Sequence, residues 1–182
     1  MLHILYPQLA NHLRQAVPSL GTIDLDMAQL DYQSNEPISY PAVYIDLEDI
    51  PWRDMGAGIQ TGRALLRFTV ATEVSEETHQ GSGQVEAAVA RLLIVQQVHA
   101  ALQHYQGEGF GPLVRTSYRR DRPQHPEAWC MALGYVTEVK DEDGAKRGIL
   151  VSDVQLSASP GLRPVVEEEG NYIVPLKERS FV

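Results

Sequence analysis

The 182-residue chain carries 24 acidic and 15 basic side chains, a formal net charge of −9, and 43% hydrophobic residues. That length and apolar content suit one domain with a sizeable core and exclude general disorder. Cys130 is the sole cysteine, which excludes an internal disulfide framework and any multi-cysteine zinc or iron–sulfur site.

The longest apolar stretch, around residues 87–95, contains Arg91 and is short for a bilayer of about 30 Å, so no membrane span is expected. Residues 1–5 have no basic n-region and no small-residue cleavage site, and no signal peptide is expected. The charge is uneven. Residues 1–60 hold eight acids against Arg14 and Arg53, residues 61–135 balance, and residues 136–182 carry −3. Binding to DNA needs several lysines or arginines converging on phosphates. The one basic cluster is Arg115, Arg119, Arg120 and Arg122, in an otherwise acidic chain. An exposed strand end, or a rim of salt bridges, is its simpler reading, and no specific nucleic-acid binding is expected.

In chain order, Leu5, Leu9 and Leu13 recur four apart over residues 4–17, with Ala10, Ala16 and Val17 nearby. That spacing predicts an amphipathic helix with Gln8, Asn11, His12, Arg14 and Gln15 facing water. Pro7 fits only a first turn, so the regular helix is expected to begin near Tyr6. Pro18 and Gly21 close it, and a short strand over 22–25 follows. Residues 31–39 form a polar, turn-rich loop. Over 42–50, Val43, Ile45 and Leu47 alternate with Tyr44, Asp46 and Glu48, a strand with one buried face. Pro51-Trp52-Arg53-Asp54, with Gly56 and Gly58, reads as an irregular connection. A long strand is expected over 59–74, with Leu66, Phe68, Val70 and Val74 on one face and Arg63, Arg67, Thr69 and Glu73 on the other. Residues 75–83 break it.

Residues 84–105 give the strongest signal. Val85, Ala88, Leu92, Val95, His99 and Leu102 follow a three–four spacing, widened by Val89, Leu93 and Val98. A helix with so wide an apolar stripe must lie against a sheet or another subunit. Gly107, Gly109 and Gly111 end it. Strands are expected over 113–120 and over 128–140, the second with Trp129, Met131, Leu133, Tyr135 and Val139 on one face. Pro123 and Pro126 keep the connection between them unpaired. A turn over 141–144 and a last strand over 149–156 complete a domain spanning residues 1–156. Residues 157–182, with Pro160, Pro164, Pro175 and the run Glu167, Glu168, Glu169, suggest an extended arm. Runs of strands, instead of strict βα alternation, predict an α+β fold. Its sheet is mainly antiparallel, with a short N-terminal helix and one long helix on one face.

No catalytic constellation emerges. His99 and His104 are five apart on one helix and diverge by roughly 140°, so the i, i+4 geometry of helical zinc sites is absent. Cys130 lies between Trp129 and Met131, where a thiol acts as a small hydrophobe. Gly81-Ser82-Gly83 lacks the strand–turn–helix framing of a hydrolase elbow, and reads as a lead into the helix with Ser82 as a cap. The glycines at 107, 109 and 111 follow a helix, whereas phosphate-cradling loops precede one. Asp46 and Glu48 share a strand face and raise the idea of a divalent metal, although strand-face acids are usually only solvated. The expectation is a non-enzyme with no cofactor and no metal.

One cadence in the N-terminal half is specific enough to compare. A short leading helix from Ile4-Leu5-Tyr6-Pro7 to Ala16-Val17-Pro18 leads to Ile23-Asp24-Leu25-Asp26. Tyr40-Pro41-Ala42-Val43-Tyr44-Ile45-Asp46, Trp52, Gly58-Ile59-Gln60 and a long strand follow. Over residues 2 to about 140 this resembles the tail-terminator and head–tail joining proteins of long-tailed and Mu-like phages and prophages. The resemblance implies a structural subunit that forms a ring, usually of six copies, capping the tail tube and joining it to the head connector. Its partners would be itself, the tail-tube protein and neck or connector proteins. Its location would be the host cytoplasm during assembly, then the virion tail. No catalytic residues come with it, and an acidic lumen would let DNA slide. Residues expected at subunit contacts are Tyr32, Trp52, Arg53, Asp54, His79, Arg119 and Arg120. The alternative is a small monomeric or dimeric module that binds a protein or ligand.

Overall fold

The computed structural model describes residues 2–31, 37–74, 84–121 and 128–145, and up to Gly144 they belong to one compact unit, Met1–Gly144. The strand expected over 149–156 and the arm over 157–182 lie outside the described residues.

The first helix, α1, spans Leu2–Ala16 and buries Leu5, Leu9 and Leu13, the stripe that the four-residue spacing predicted. It starts earlier than expected, which leaves Pro7 inside the helix instead of in its first turn. Pro7 lacks the N–H that would bond the carbonyl of His3, but its ring points to solvent. Complete burial of Leu5 and Leu9 on either side holds the turn. Gln8 and His12 also depart from expectation, because they are half-buried against the next helix and its exit loop. The Gln8 side chain clasps the Glu108 backbone, Oε1 accepting from N at 2.9 Å and Nε2 donating to the carbonyl at 3.1 Å. His12 Nε2 donates to the Ala101 carbonyl at 2.7 Å, and its ring stacks on Tyr105 at 3.7 Å.

The sheet contains β1 (Thr22–Leu25), β2 (Ala42–Asp49), β3 (Trp52–Gly56), β4 (Ile59–Glu73), β5 (Val114–Asp121) and β6 (Ala128–Asp141). Its order is β1-β2-β4-β6-β5, with β3 pairing the start of β4 beyond the end of β2. β1 runs parallel to β2 and every other pair is antiparallel. The spine is β4 against β6, paired from Gln60↔Asp141 to Glu73↔Ala128. The result is an α+β fold with a mixed, mostly antiparallel sheet.

Residues 52–56, expected to be irregular, are a strand. Gly56, Ala57 and Gly58 all take positive φ (86°, 55° and 77°), a conformation that two glycines make accessible, and this turns β3 back onto β4. Gly62 matters equally. A Cβ there would lie 2.8 Å from Ile50 Cγ2 and 3.2 Å from the Pro51 carbonyl, so its absence lets the β2–β3 bend cross close over β4.

The second helix, α2, spans Val85–Leu102 and shares one face of the sheet with α1. Between helices and sheet lie Leu5, Leu9, Leu13, Val95, Val98 and Leu102 against Val43, Ile45, Leu66, Phe68, Val70, Met131, Leu133 and Tyr135. Phe68 and Tyr135 meet edge to face, with ring centroids 5.4 Å apart. The other face is buried at one end only, where Leu30, Ala42, Tyr44, Ala71 and Cys130 cluster with Ile38, Tyr40 and Ala128. Strand β2 is therefore buried on both faces over its first half, more than its alternating pattern predicted.

Val74, expected in the core, is exposed just past the end of β4. α2 extends the apolar stretch beyond residues 87–95. By length and composition it is the one helix of the described residues apolar enough to cross a membrane, with a mean hydropathy of 1.3. At about 1.5 Å per residue its 18 residues extend roughly 27 Å. Its C-terminal turns, however, are part of the core through Val95, Val98 and Leu102.

Candidate functional site

Among the described residues, Tyr135, His99 and Cys130 are built into the packed structure. Tyr135 is fully buried, and its hydroxyl shares a 2.8 Å hydrogen bond with His99 Nδ1. Burial pushes the Tyr135 hydroxyl far above the ordinary tyrosine range. Burial, and then the nearby Arg115 charge, lowers the pKa of His99, so the imidazole stays neutral at physiological pH. Burial likewise pushes the Cys130 thiol up to about 12, which removes the thiolate that nucleophilic chemistry requires.

Asp46 and Glu48 do share a face, and a guanidinium occupies the place where a cation would sit. Arg67, directly opposite Asp46 across the strands, lies 2.7 Å from Asp46, 3.4 Å from Glu48 and 3.8 Å from Asp26. Although burial opposes its charge, the Asp46 hydrogen bond and the three carboxylates hold its pKa above the ordinary arginine value. Among the described residues, no three His, Cys, Asp or Glu side chains gather as a metal-binding group.

What remains exposed lies at the two sides of the sheet. Trp52, Arg53 and Asp54 sit on the fully exposed β3, at the end where β4 starts. Arg119 and Arg120 sit on β5, the edge on the opposite side, level with Ala132 and Met131 of β6 and hence with Thr69 and Val70 of β4. Seven to ten residues of β4 and three strand spacings separate the two groups, roughly 23–33 Å along the strands and about 14 Å across them. These five residues form two separate patches and not one site. Tyr32 and His79 lie outside the described residues.

A third exposed region is apolar. The N-terminal half of α2 buries none of its side chains fully, and Val85, Val89, Leu92 and Leu93 are 39%, 49%, 52% and 49% exposed. Beside it, on the helix side of the sheet, Arg115, Tyr118 and Arg120 of β5 register with Tyr135, Leu133 and Met131. Helix and edge strand thus enclose a groove lined by Leu92, Val95, Gln96, His99, Arg115 and Tyr118. Its Leu92, Val95 and His99 belong to the apolar stripe that the sequence places against a sheet or another subunit, although none is among the residues expected at subunit contacts. The signal was present as an apolar stripe wider than one packed face requires, extended by Val89 and Leu93.

The fold and its surface thus define a class: an α+β domain that, among the described residues, has exposed sheet edges and an exposed apolar helix face. No protein-family model matches the chain, and no curated protein matches it. Among solved structures it is similar to a chain of the "Virion of native gene transfer agent (GTA) particle". The likeness has 14% sequence identity and a TM-score of 0.40, over 73% of this chain and 84% of that one.

Proposed function

We propose that this chain is a non-enzymatic structural protein of a phage or prophage tail, a subunit of a ring that terminates the tail tube or joins it to the head. One observation carries the proposal: among the described residues, the first half of α2 presents Val85, Val89, Leu92 and Leu93 to solvent while its second half is packed in the core. A contiguous apolar face rimmed by charges marks a protein contact. The cadence from Tyr40-Pro41-Ala42-Val43 through Trp52 to the long β4 supplies the kind of assembly, by its resemblance to tail terminators. The inert settings of Cys130, His99 and Tyr135 agree with a role without catalysis.

The test is to add the purified chain to tail-tube protein polymerising in vitro and to image the tubes by electron microscopy. Tubes that stop growing, with the chain at one end, are the expected result. Tubes that grow as before and carry none of the chain would overturn the proposal.

A further inference from the structure

We infer that copies of this chain dock head to tail, the β1 edge of one copy and the turn after it seating in the α2–β5 groove of the next. The inference rests on the ring reading above and names its interface.

Charge selects the partner. Strand β5 carries Arg115, Arg119 and Arg120, all exposed, against the single Asp121, a net +2 along one edge. The opposite side of the sheet, from β1 through β2 to β3, carries Asp24, Asp26, Asp46, Glu48, Asp49 and Asp54. Against these stand only Arg53 and the inserted Arg67, which leaves −4. Groove against groove would bring Arg115 and Arg120 of both copies together, and β1 against β1 would oppose carboxylates. Pairing of unlike edges is the arrangement that attracts.

Apolar surface agrees with charge. Met27 follows Asp24 and Asp26 in the turn after β1 and is 74% exposed, the most exposed of the large apolar side chains among the described residues. The groove offers Leu92, Val95 and Tyr118 to receive it, with Arg115 at the wall. A contact between two different patches is heterologous, so it propagates from copy to copy and closes into a ring when the rotation allows.

The test uses the full-length chain, with native mass measured by light scattering at low salt. Arg115→Glu with Arg120→Glu, and separately Asp24→Lys, are each expected to weaken association at least tenfold. Because the Asp24 carboxylate also accepts from Leu25 N and Gln29 Nε2, its loss is separated from a folding defect by rescue in the triple variant. The triple variant, with both edges reversed, is expected to assemble again, as is an equimolar mixture of the two reversed chains. Leu92→Asp is expected to stay monomeric.

An oligomer that ignores all these charges overturns the edge pairing and leaves the ring reading standing. A wild-type chain that stays monomeric at every concentration, and also when tail-tube protein is added, overturns both. Two further outcomes overturn the pairing by naming another occupant: co-flotation of a monomer with anionic lipid vesicles, or a Leu92→Cys thiol shielded from labelling in the monomer by the chain's own residues.

Discussion

Helix α2 has a packed half and a free half, and truncating one leucine in each separates them. Leu102 is wholly buried among α1, α2 and the sheet. Leu102→Ala removes its transfer free energy and leaves a cavity, a loss of about 2–5 kcal/mol. Leu93 is 49% exposed, so Leu93→Ala forfeits about half of a leucine's burial, roughly 1 kcal/mol or less, and opens no cavity. Urea unfolding followed by circular dichroism, at a concentration low enough to keep the chain monomeric, gives both values from the shift in midpoint at constant slope. Equal losses would refute the division of α2. A loss above about 2 kcal/mol at Leu93 would show that its side chain is buried in the isolated subunit.

The neutral His99 sets a pH dependence. Its folded pKa lies below its unfolded value, so the unfolded chain takes up the proton first. The contribution is complete above about pH 6.5 and declines as pH falls below that. Urea midpoints at pH 7.5 and 5.5 should differ more for the wild type than for His99→Gln, and equal differences would refute the assignment. Tyr135→Phe, which deletes the hydroxyl bonded to His99, should cost about 1 kcal/mol in the same assay, with no loss counting against the bond. Cys130 should resist a thiol reagent at pH 8 in the native chain and react fully in guanidinium, whereas fast native labelling would contradict its burial. Gly62→Ala should cost about 1–3 kcal/mol, because the β2–β3 bend has no room for the methyl group.

Periodicity made most of the fold legible. The leucines of α1, the alternation in β2 and β4, and the face of β6 from Met131 to Tyr135 are all where their spacing places them. Misreadings arose where one residue type carries two meanings. Pro7 signals a helix start, yet burial of its neighbours outweighs one lost hydrogen bond. Gly56 and Gly58 signal an irregular link, yet the same positive φ values make a hairpin turn. Gln8 and His12 look like solvent-facing polar residues, and only the fold shows the Glu108 and Ala101 backbone they hold.

The surface was less legible than the core. Asp46 and Glu48 were readable as sharing a face, but the guanidinium between them comes from a strand twenty residues away. The width of the α2 stripe showed that it needed a second partner. Which leucines face that partner follows only from where the sheet ends, at β5.

Native mass separates a ring subunit from a monomeric module. Light scattering on the full-length protein across a concentration series should give a defined species, near six times the 20.2 kDa chain mass if the ring is of the usual size. A mass of one chain at every concentration, unchanged when tail-tube protein is added, would contradict the ring.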